Sequence, residues 1–181
     1  MRLMIASDIH GSYDYLKMLL DRMEQEKCEK MLILGDILYH GPRNDLPLGY
    51  APKKVAEALN AIKEKIITVR GNCEADVDQM MLNFPVLQES AYLMIDGTVI
   101  YATHGHKFGE TNPPPISGGE ILLCGHTHVP KIAEYEGYTY LNPGSVSIPK
   151  ENSRHSCMIF ENGVFTWKDI ETGDNYMEYS V

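Results

Sequence analysis

The chain has 181 residues, of which 44% are hydrophobic and 23% charged, a balance that favours a globular protein with an apolar core over a disordered or repetitive chain. The formal net charge of −9 argues against large nucleic acids and anionic membranes as partners, because the field of the whole surface repels them. The four cysteines include no Cys-x-x-Cys pair, which argues against a zinc knuckle or a disulfide framework. No apolar run is long enough for a signal peptide or a membrane span, so we expect one domain over residues 1–181 in the reducing cytoplasm.

The first half of the chain alternates short apolar runs with helical patterns. Such runs predict buried parallel strands, because a strand that is covered on both faces is apolar throughout. Leu16, Leu19 and Met23 recur at helical spacing, and Pro52 is a typical first residue of a helix. We predict strands at 3–6, 31–34 and 66–69, helices at 14–26 and from Pro52, a loop at 39–52 and a short helix through Met80 and Met81.

The second half changes to hairpins, with turn signals at Asp96-Gly97, Glu136-Gly137 and Asn162-Gly163. A series of βα units followed by hairpins favours an α/β fold. We predict strands at 92–95, 99–103, 121–124, within 132–141, at 156–161 and at 164–170, a loop at 107–119 and a turn at 142–145.

Polar side chains follow five of the apolar runs at the point where each run ends. In α/β sheets, functional sites form at the carboxyl ends of the strands. Only His40 and His155, of seven histidines, lie outside these positions, and His40 lies in an adjacent loop. The residues at the five ends are Asp8 and His10, then Asp36, Asn72 and His104, and finally His126 and His128.

These side chains favour a metal site. A single His-x-His pair, such as His126 and His128, is more often a polar loop than a metal ligand, but five converging ends reverse that balance. Carboxylate, imidazole and amide groups favour Mn²⁺, Zn²⁺, Fe²⁺, Co²⁺ or Ni²⁺. The seven side chains exceed what one ion needs, whereas two ions roughly 3.5–4 Å apart are the standard arrangement for displacement at phosphorus.

The motifs that carry these residues resemble the calcineurin-like metallophosphoesterase signature. They are Asp8-x-His10, Gly35-Asp36, Gly71-Asn72, His104-Gly105 and Gly125-His126-x-His128. The segments His40 to Asn44, Arg70 to Cys73, Thr103 to His106 and Asn142 to Pro149 are similar to the YfcE-type branch of bacterial phosphodiesterases. The resemblance implies a four-layer α/β/β/α sandwich with two facing mixed sheets flanked by helices.

The resemblance also implies a role for each residue. The first ion is expected on Asp8, His10 and His128, with Asp36 bridging to a second ion on Asn72, His104 and His126. Manganese is the metal that we favour. A hydroxide between the two ions would then attack the phosphorus in line, while the ions neutralise charge on the phosphoryl oxygens.

Cys73 departs from the wider superfamily, where the corresponding histidine assists the leaving group. A thiol with an ordinary pKa of about 8.5 is a weak substitute as an acid. We therefore expect His106 or His40 to supply the proton, or the substrate to have a stable leaving group. Arg43 and His106 are further candidates for substrate contacts.

The expected substrate is a small phosphodiester, and the sequence leaves open a homo-oligomer. Two alternatives remain within the same fold: a phosphomonoesterase, and a protein-binding scaffold similar to the retromer subunit of this branch. A structural metal protein is a third, although seven ligands on two ions leave coordination positions open.

Overall fold

Two β-sheets that face each other form the frame of the molecule. The computed structural model describes residues 1–116 and 118–181. Ser117, which belongs to the predicted loop at 107–119, lies outside the described residues. The helices are α1 (Tyr13–Gln25), α2 (Pro52–Ala61) and α3 (Asp76–Met81), and a 3₁₀ turn spans Lys63–Lys65. The strands are β1 (Leu3–Ala6), β2 (Lys30–Ile33), β3 (Ile66–Thr68), β4 (Ser90–Ile95), β5 (Thr98–Thr103), β6 (Glu120–Leu123), β7 (Pro130–Tyr135), β8 (Tyr138–Pro143), β9 (Ser156–Glu161), β10 (Val164–Asp169) and β11 (Asn175–Ser180).

The first sheet has six strands in the order β11-β10-β9-β1-β2-β3. Strands β1, β2 and β3 are parallel, because α1 and α2 form the crossover connections between them. Strand β9 is antiparallel to β1, and β10 and β11 extend the sheet as antiparallel hairpins. The sheet is therefore mixed.

The second sheet has five strands in the order β4-β5-β6-β8-β7. Strands β5, β6 and β8 are parallel, and the hairpins β4-β5 and β7-β8 add an antiparallel strand at each edge. Because β5 and β6 are parallel neighbours, their carboxyl ends lie together at one edge of this sheet.

Alternating side chains of the central strands fill the layers on both faces of the first sheet. Leu3 and Ile5 of β1 pack between the two sheets, whereas Met4 and Ala6 belong to the cluster under the helices. Trp167 of β10 is fully buried between the sheets, and its Nε1 donates a hydrogen bond to the carbonyl oxygen of Asn142, 2.7 Å away. The indole thus connects the two sheets.

The outer layers differ in kind. Helices α1 and α2 pack on the six-stranded sheet, and their first residues match the sequence signals: Ser12 caps α1 through Oγ, and Pro52 begins α2. On the other side, among the described residues, the segment after β5 covers the five-stranded sheet. Ile116 packs on its outer face, and the Tyr138 hydroxyl donates to the carbonyl oxygen of Glu110. The predicted arrangement of two facing mixed sheets is confirmed.

Two differences from the predicted elements concern the carboxyl-terminal half. Strand β11 was not predicted, because its stabilisation comes from pairing with β10 and not from an apolar pattern of its own. Asn142 and Pro143 belong to β8, where they pair with β7, so the predicted turn begins only at Gly144. Within the described residues, no helix is long and apolar enough to cross a bilayer.

Candidate metal centre

The ends of five strands from both sheets meet at one place. Asp8 and His10 follow β1, Asp36 follows β2, and Asn72 follows β3. From the second sheet, His104 follows β5, and His126 and His128 follow β6. Five of these seven side chains are buried: Asp8, His10, Asp36, His104 and His128. Such a concentration of buried titratable groups needs a compensating interaction.

Asp8, His10 and His128 form the first group, and their ligand atoms all lie within 4.8 Å of one another. The Nε2 atoms of His10 and His128 are 3.3 Å apart. Asp8 Oδ1 lies 3.3 Å from His128 Nε2 and 3.6 Å from His10 Nε2. Two imidazoles and a carboxylate in this arrangement match the preferences of a borderline divalent ion.

Asp36, Asn72 and His104 form the second group. His104 Nε2 lies 3.4 Å from Asp36 Oδ2 and 3.1 Å from Asn72 Oδ1. The same Asp36 oxygen is 3.7 Å from His10 Nε2, so this carboxylate lies between the two groups. His126 lies beside His104, with ring centroids 5.0 Å apart, and lines the cavity at this centre together with His10, Asp36 and Asn72. Every predicted ligand therefore lies at this centre.

The histidines share an orientation that suits metal binding. The Nδ1 atoms of His10, His104 and His128 lie 2.6–2.7 Å from the backbone carbonyl oxygens of Tyr39, Leu34 and Ile148. A carbonyl oxygen can only accept, so each Nδ1 carries a proton, and in the neutral imidazole the Nε2 atom then has the lone pair that a metal ion needs. That tautomer directs three basic nitrogens at the centre.

Asp8 supplies the clearest sign that the site is built for cations. Its Oδ2 accepts hydrogen bonds from Ser7 Oγ (2.6 Å) and the backbone N–H of His126 (3.0 Å), whereas its buried Oδ1 has no hydrogen-bond partner. Burial opposes ionisation, but interactions with His10 and His128 outweigh it and hold the pKa of Asp8 well below its usual range. A buried, ionised oxygen without a donor fits a metal ion, so the residues present fit the metal that the motifs imply.

Strained backbone accompanies the ligands. Asp8, His10, Asp36, His126 and His128 all have positive φ, between 48° and 66°. Residues other than glycine rarely adopt this left-handed conformation, and such strain concentrates at functional sites. Glycines allow the close approach of these loops, because a Cβ at Gly71 would overlap Asp36 Oδ1 and one at Gly125 would overlap Ser7 Oγ.

The segment 142–149 forms hydrogen bonds with the backbone of the loops that carry Asp8 and His126. Ser145 Oγ and Ser147 Oγ donate to the carbonyl oxygen of Asp8 at 2.9 and 3.2 Å. Asn142 Nδ2 donates to the carbonyl oxygen of Gly125 at 2.8 Å, which fixes the turn before His126. Only residues 142–145 of this segment were predicted as a turn, and in the structure the hydrogen bonds of the whole segment orient the ligand loops.

Glu74 was missed by the sequence analysis. Its buried carboxylate accepts hydrogen bonds from the backbone N–H groups of Asp36 (2.9 Å), Ile37 (2.7 Å) and Gly71 (2.5 Å). It therefore connects the segment after β2 to the segment after β3. Burial and the nearby Asp36 raise its pKa. The sequence pattern does not indicate this role, because the partners of Glu74 are backbone groups, which every residue has.

Two cationic side chains line the cavity at the centre. Its lining includes predicted ligands together with Gly41, Pro42, Arg43, Asn44, Cys73 and Lys150. Arg43 was a predicted contact residue, whereas Lys150 was not predicted. Both side chains are exposed, and their positive charges make this cavity more favourable to an anion.

The candidate proton donors occupy different positions. Cys73 lines the cavity, and burial and Asp36 raise the pKa of its thiol. His106 lies 5.4 Å from His104 between ring centroids, and burial and His104 lower its pKa. The His40 ring packs edge-on against Tyr39 and Tyr50. Neither His40 nor His106 is among the described residues that line the central cavity.

Comparison with known proteins identifies the family. Residues 1–163 match the model of the calcineurin-like phosphoesterase superfamily domain. The chain is 46% identical over 167 residues to phosphodiesterase YfcE of Escherichia coli K12, which covers 92% of this chain and 90% of that protein.

Solved structures agree with this match. The E. coli phosphoesterase Yfce superposes with a TM-score of 0.95 and 40% identity, covering 99% of both chains. Vps29 from Entamoeba histolytica, solved as a Zn²⁺ complex, has a TM-score of 0.65 at 19% identity and covers 99% of both chains, a likeness of fold alone. The predicted family and the predicted enzyme class, a phosphoesterase, are confirmed. The chain belongs to the calcineurin-like phosphoesterase superfamily.

Proposed function

We propose that the chain hydrolyses small phosphodiesters with the help of two divalent metal ions. The observation that carries the proposal is the buried Asp8 Oδ1, which has no hydrogen-bond partner and lies 3.6 Å from His10 Nε2 and 3.3 Å from His128 Nε2. The name of the E. coli relative, a phosphodiesterase at 46% identity, supports the choice of a diester.

The ions would be held by the two groups of side chains. Asp8, His10 and His128 would hold the first ion, and Asn72, His104 and His126 the second, with Asp36 between them. When bound, such ions supply Lewis-acid charge and an activated water at neutral pH. Manganese is our choice among the metals that this donor set accepts.

The protein's own groups bind and orient the substrate. Arg43 and Lys150, which line the cavity, would bind phosphoryl oxygens through charge-assisted hydrogen bonds. Asp36 accepts a hydrogen bond from the backbone N–H of Cys73 (2.9 Å), which fixes the carboxylate and places the thiol at the cavity wall. A thiol, with an ordinary pKa of about 8.5, is a weaker acid than the imidazolium of the histidine that the wider superfamily has at this position. Diesters with stable leaving groups are therefore the favoured substrates.

The net charge of the chain bears on the size of the substrate and on the partners that we propose. The net charge of −9 argues for small diesters over large nucleic acids and against membranes, because the field of the whole surface repels polyanions. A cytoplasmic location and assembly into homo-oligomers remain predictions. A phosphomonoesterase and a protein-binding scaffold are the alternative outcomes of the experiment below.

The proposal is tested by metal removal and reconstitution. We expect the stripped protein to be inactive on bis(p-nitrophenyl) phosphate, and Mn²⁺ to restore turnover at about two ions per chain. Turnover of p-nitrophenyl phosphate should be lower, because the proposed site favours a diester. A protein that binds metal without hydrolysing either ester would instead be a scaffold or a structural metal protein.

Two variants test the ligands. Asp36→Asn and Asn72→Ala should each reduce turnover of the reconstituted enzyme by roughly 100-fold or more, because both side chains belong to the second group. Asp21→Asn, an exposed position on α1, is the matched control and should retain full activity. Near-normal rates in either site variant would contradict the assignment.

A further inference from the structure

A second cavity, of about 460 Å³, opens beside the metal centre. The two cavities share Cys73 in their walls. The Cys73 thiol has its sulfur within 4.8 Å of ligand atoms of His10 and Asp36, so the second cavity begins at the edge of the metal site. Its apolar walls consist mainly of Leu38, Tyr39, Tyr50, Pro52, Val77 and Met81.

Two elements build the walls. Val77 and Met81 lie one turn apart on α3, so their side chains project from the same face of the helix. Tyr39 and Tyr50 come from the two ends of the 39–52 segment. The His40 ring packs edge-on against both tyrosines, at centroid distances of 4.7 and 5.3 Å, which holds the aromatic wall in place.

Three apolar side chains of this cavity are exposed to solvent. Val77 is 60% exposed, while Met81 and Tyr39 are each 42% exposed. Apolar residues grouped around a concave surface of this size are typical of a small-molecule site. Tyrosine and methionine favour contact with the faces and edges of aromatic rings.

We propose that this cavity binds an aromatic ring, of nucleobase size, carried by one ester group of the phosphodiester substrate. The inference rests on the proposed function, since it places the phosphoryl group at the metal centre. From there, an ester substituent that passes Cys73 enters the cavity directly. The carbonyl oxygen of Tyr39 also accepts the hydrogen bond of His10 Nδ1 at 2.7 Å, so one residue both supports a predicted ligand and forms the wall.

The composition of the walls selects the ligand. A second phosphate or a bare sugar would place most of its polar groups against Leu38, Val77 and Met81, with the exposed Lys53 as the one cationic partner among the described lining residues. Lys53 and Asp78 are the charged residues of the lining, and Asp78 Oδ2 is already engaged by the backbone N–H of Ala75 at 2.6 Å. An aromatic group therefore fits the cavity better than an anionic or a purely hydroxylated group.

Paired phosphonates test this inference without a leaving group. Phenylphosphonate and methylphosphonate share the metal-binding anion and differ in the ring, and neither is a hydrolysable ester. Competitive inhibition constants would be measured against methyl p-nitrophenyl phosphate with the Mn²⁺-reconstituted enzyme. We expect phenylphosphonate to bind at least about tenfold more tightly, because the ring buries apolar surface that a methyl group lacks.

Variants on α3 locate the ring. The double variant Val77→Ser, Met81→Ser should reduce this ratio to near one while leaving the inhibition constant of methylphosphonate unchanged. Met80→Ser is the matched control, because Met80 is the neighbouring residue, is 83% exposed and does not line the cavity. If the double variant fails to fold, the milder Met81→Gln serves in its place, with a smaller reduction expected.

Two results would overturn the inference: equal inhibition by the two phosphonates in the unmodified enzyme, or an unchanged ratio in a folded cavity variant. Either result would overturn the inference even if the enzyme hydrolyses diesters normally. Failure of the proposed function is distinguishable, because the reconstituted protein would then not hydrolyse methyl p-nitrophenyl phosphate at all.

Discussion

We expect Lys150, which lines the cavity at the metal centre, to contribute to substrate affinity. Its exposed ammonium lines the cavity but belongs to neither group of predicted ligands. Replacing it in Lys150→Met should raise KM for bis(p-nitrophenyl) phosphate by about tenfold with little change in kcat, because a charge-assisted hydrogen bond is lost. Steady-state kinetics checks this, with Lys63→Met, exposed on the 3₁₀ turn, as the control. A drop in kcat alone would contradict a binding role.

Cys73 is the residue that we expect to limit the range of leaving groups. A thiol is a weaker acid than an imidazolium, because its ordinary pKa is about 8.5. Cys73→His introduces a group with an ordinary pKa of about 6.5, which donates a proton more readily at neutral pH. We expect the ratio of kcat/KM for alkyl over aryl esters to rise, while the rate on aryl esters changes little. An unchanged ratio in a variant that still binds metal would show that Cys73 does not limit the reaction.

At the scale of single residues, the sequence predicted the side chains that the structure brings together at the candidate metal centre. Asp8, His10 and Asp36 were visible because each follows an apolar run, and a strand end is where an α/β site forms. Glu74 and Lys150 were not visible. Glu74 acts on backbone N–H groups, which leave no side-chain pattern, and Lys150 reaches the cavity through a loop outside the five strand ends.

Glu74 also matters at the scale of elements, because it joins the segments that leave β2 and β3. Glu74→Gln keeps the volume but directs an NH₂ group at backbone N–H donors that now bond the carboxylate. We expect the free energy of unfolding to fall by about 1–3 kcal/mol, together with weaker metal binding. Chemical denaturation and metal titration measure both effects.

The matched control for this variant is Glu89→Gln, whose carboxylate forms ion pairs at the surface with Lys107 and Arg70. Exposed ion pairs contribute about 0–1 kcal/mol, so this variant should remain near the stability of the unmodified protein. If Glu74→Gln lowered the free energy of unfolding no more than Glu89→Gln does, the hydrogen bonds of Glu74 to the two segments would not contribute to stability.

The elements themselves differ in how well local sequence describes them. Helix α1 was predictable because its cap and its buried stripe lie within one short segment. Strand β11 was not, since it is an edge strand that pairs only with β10 and only Tyr176, Met177 and Tyr179 pack against the core. Its partner is a nonlocal feature, and β-structure depends on such context.

The whole molecule brings together two sheets that periodicity alone cannot pair. Alternating apolar runs predicted strands, but the resemblance to a family was needed to place β5 and β6 opposite β1 and β2. The structure gives the physical reason for the pairing. Leu3 and Ile5 of β1 share a core with Ile100 of β5 and Ile121 of β6, and the polar ends of the same strands then meet at the metal centre.

Metal binding should therefore stabilise the entire fold. The candidate ligands come from both sheets, so an unfolded chain offers no equivalent site, and an ion that binds only the folded state adds to its stability. At a free Mn²⁺ concentration of about 100 times Kd, the added stability is about 2.7 kcal/mol. For a chain of this length that corresponds to a rise in Tm of roughly 5–10 °C.

Differential scanning calorimetry of stripped and reloaded protein measures this shift. Asp8→Asn removes one charge from the first group, so we expect this variant to lose most of the Mn²⁺-dependent rise in Tm. Asp21→Asn and Lys150→Met should retain the full rise, because the first residue is distant from the centre and the second is expected to contact substrate and not the ions. If Mn²⁺ restored activity without raising Tm, the ions would bind folded and unfolded chains alike, and the two sheets would be held together by their shared apolar core alone.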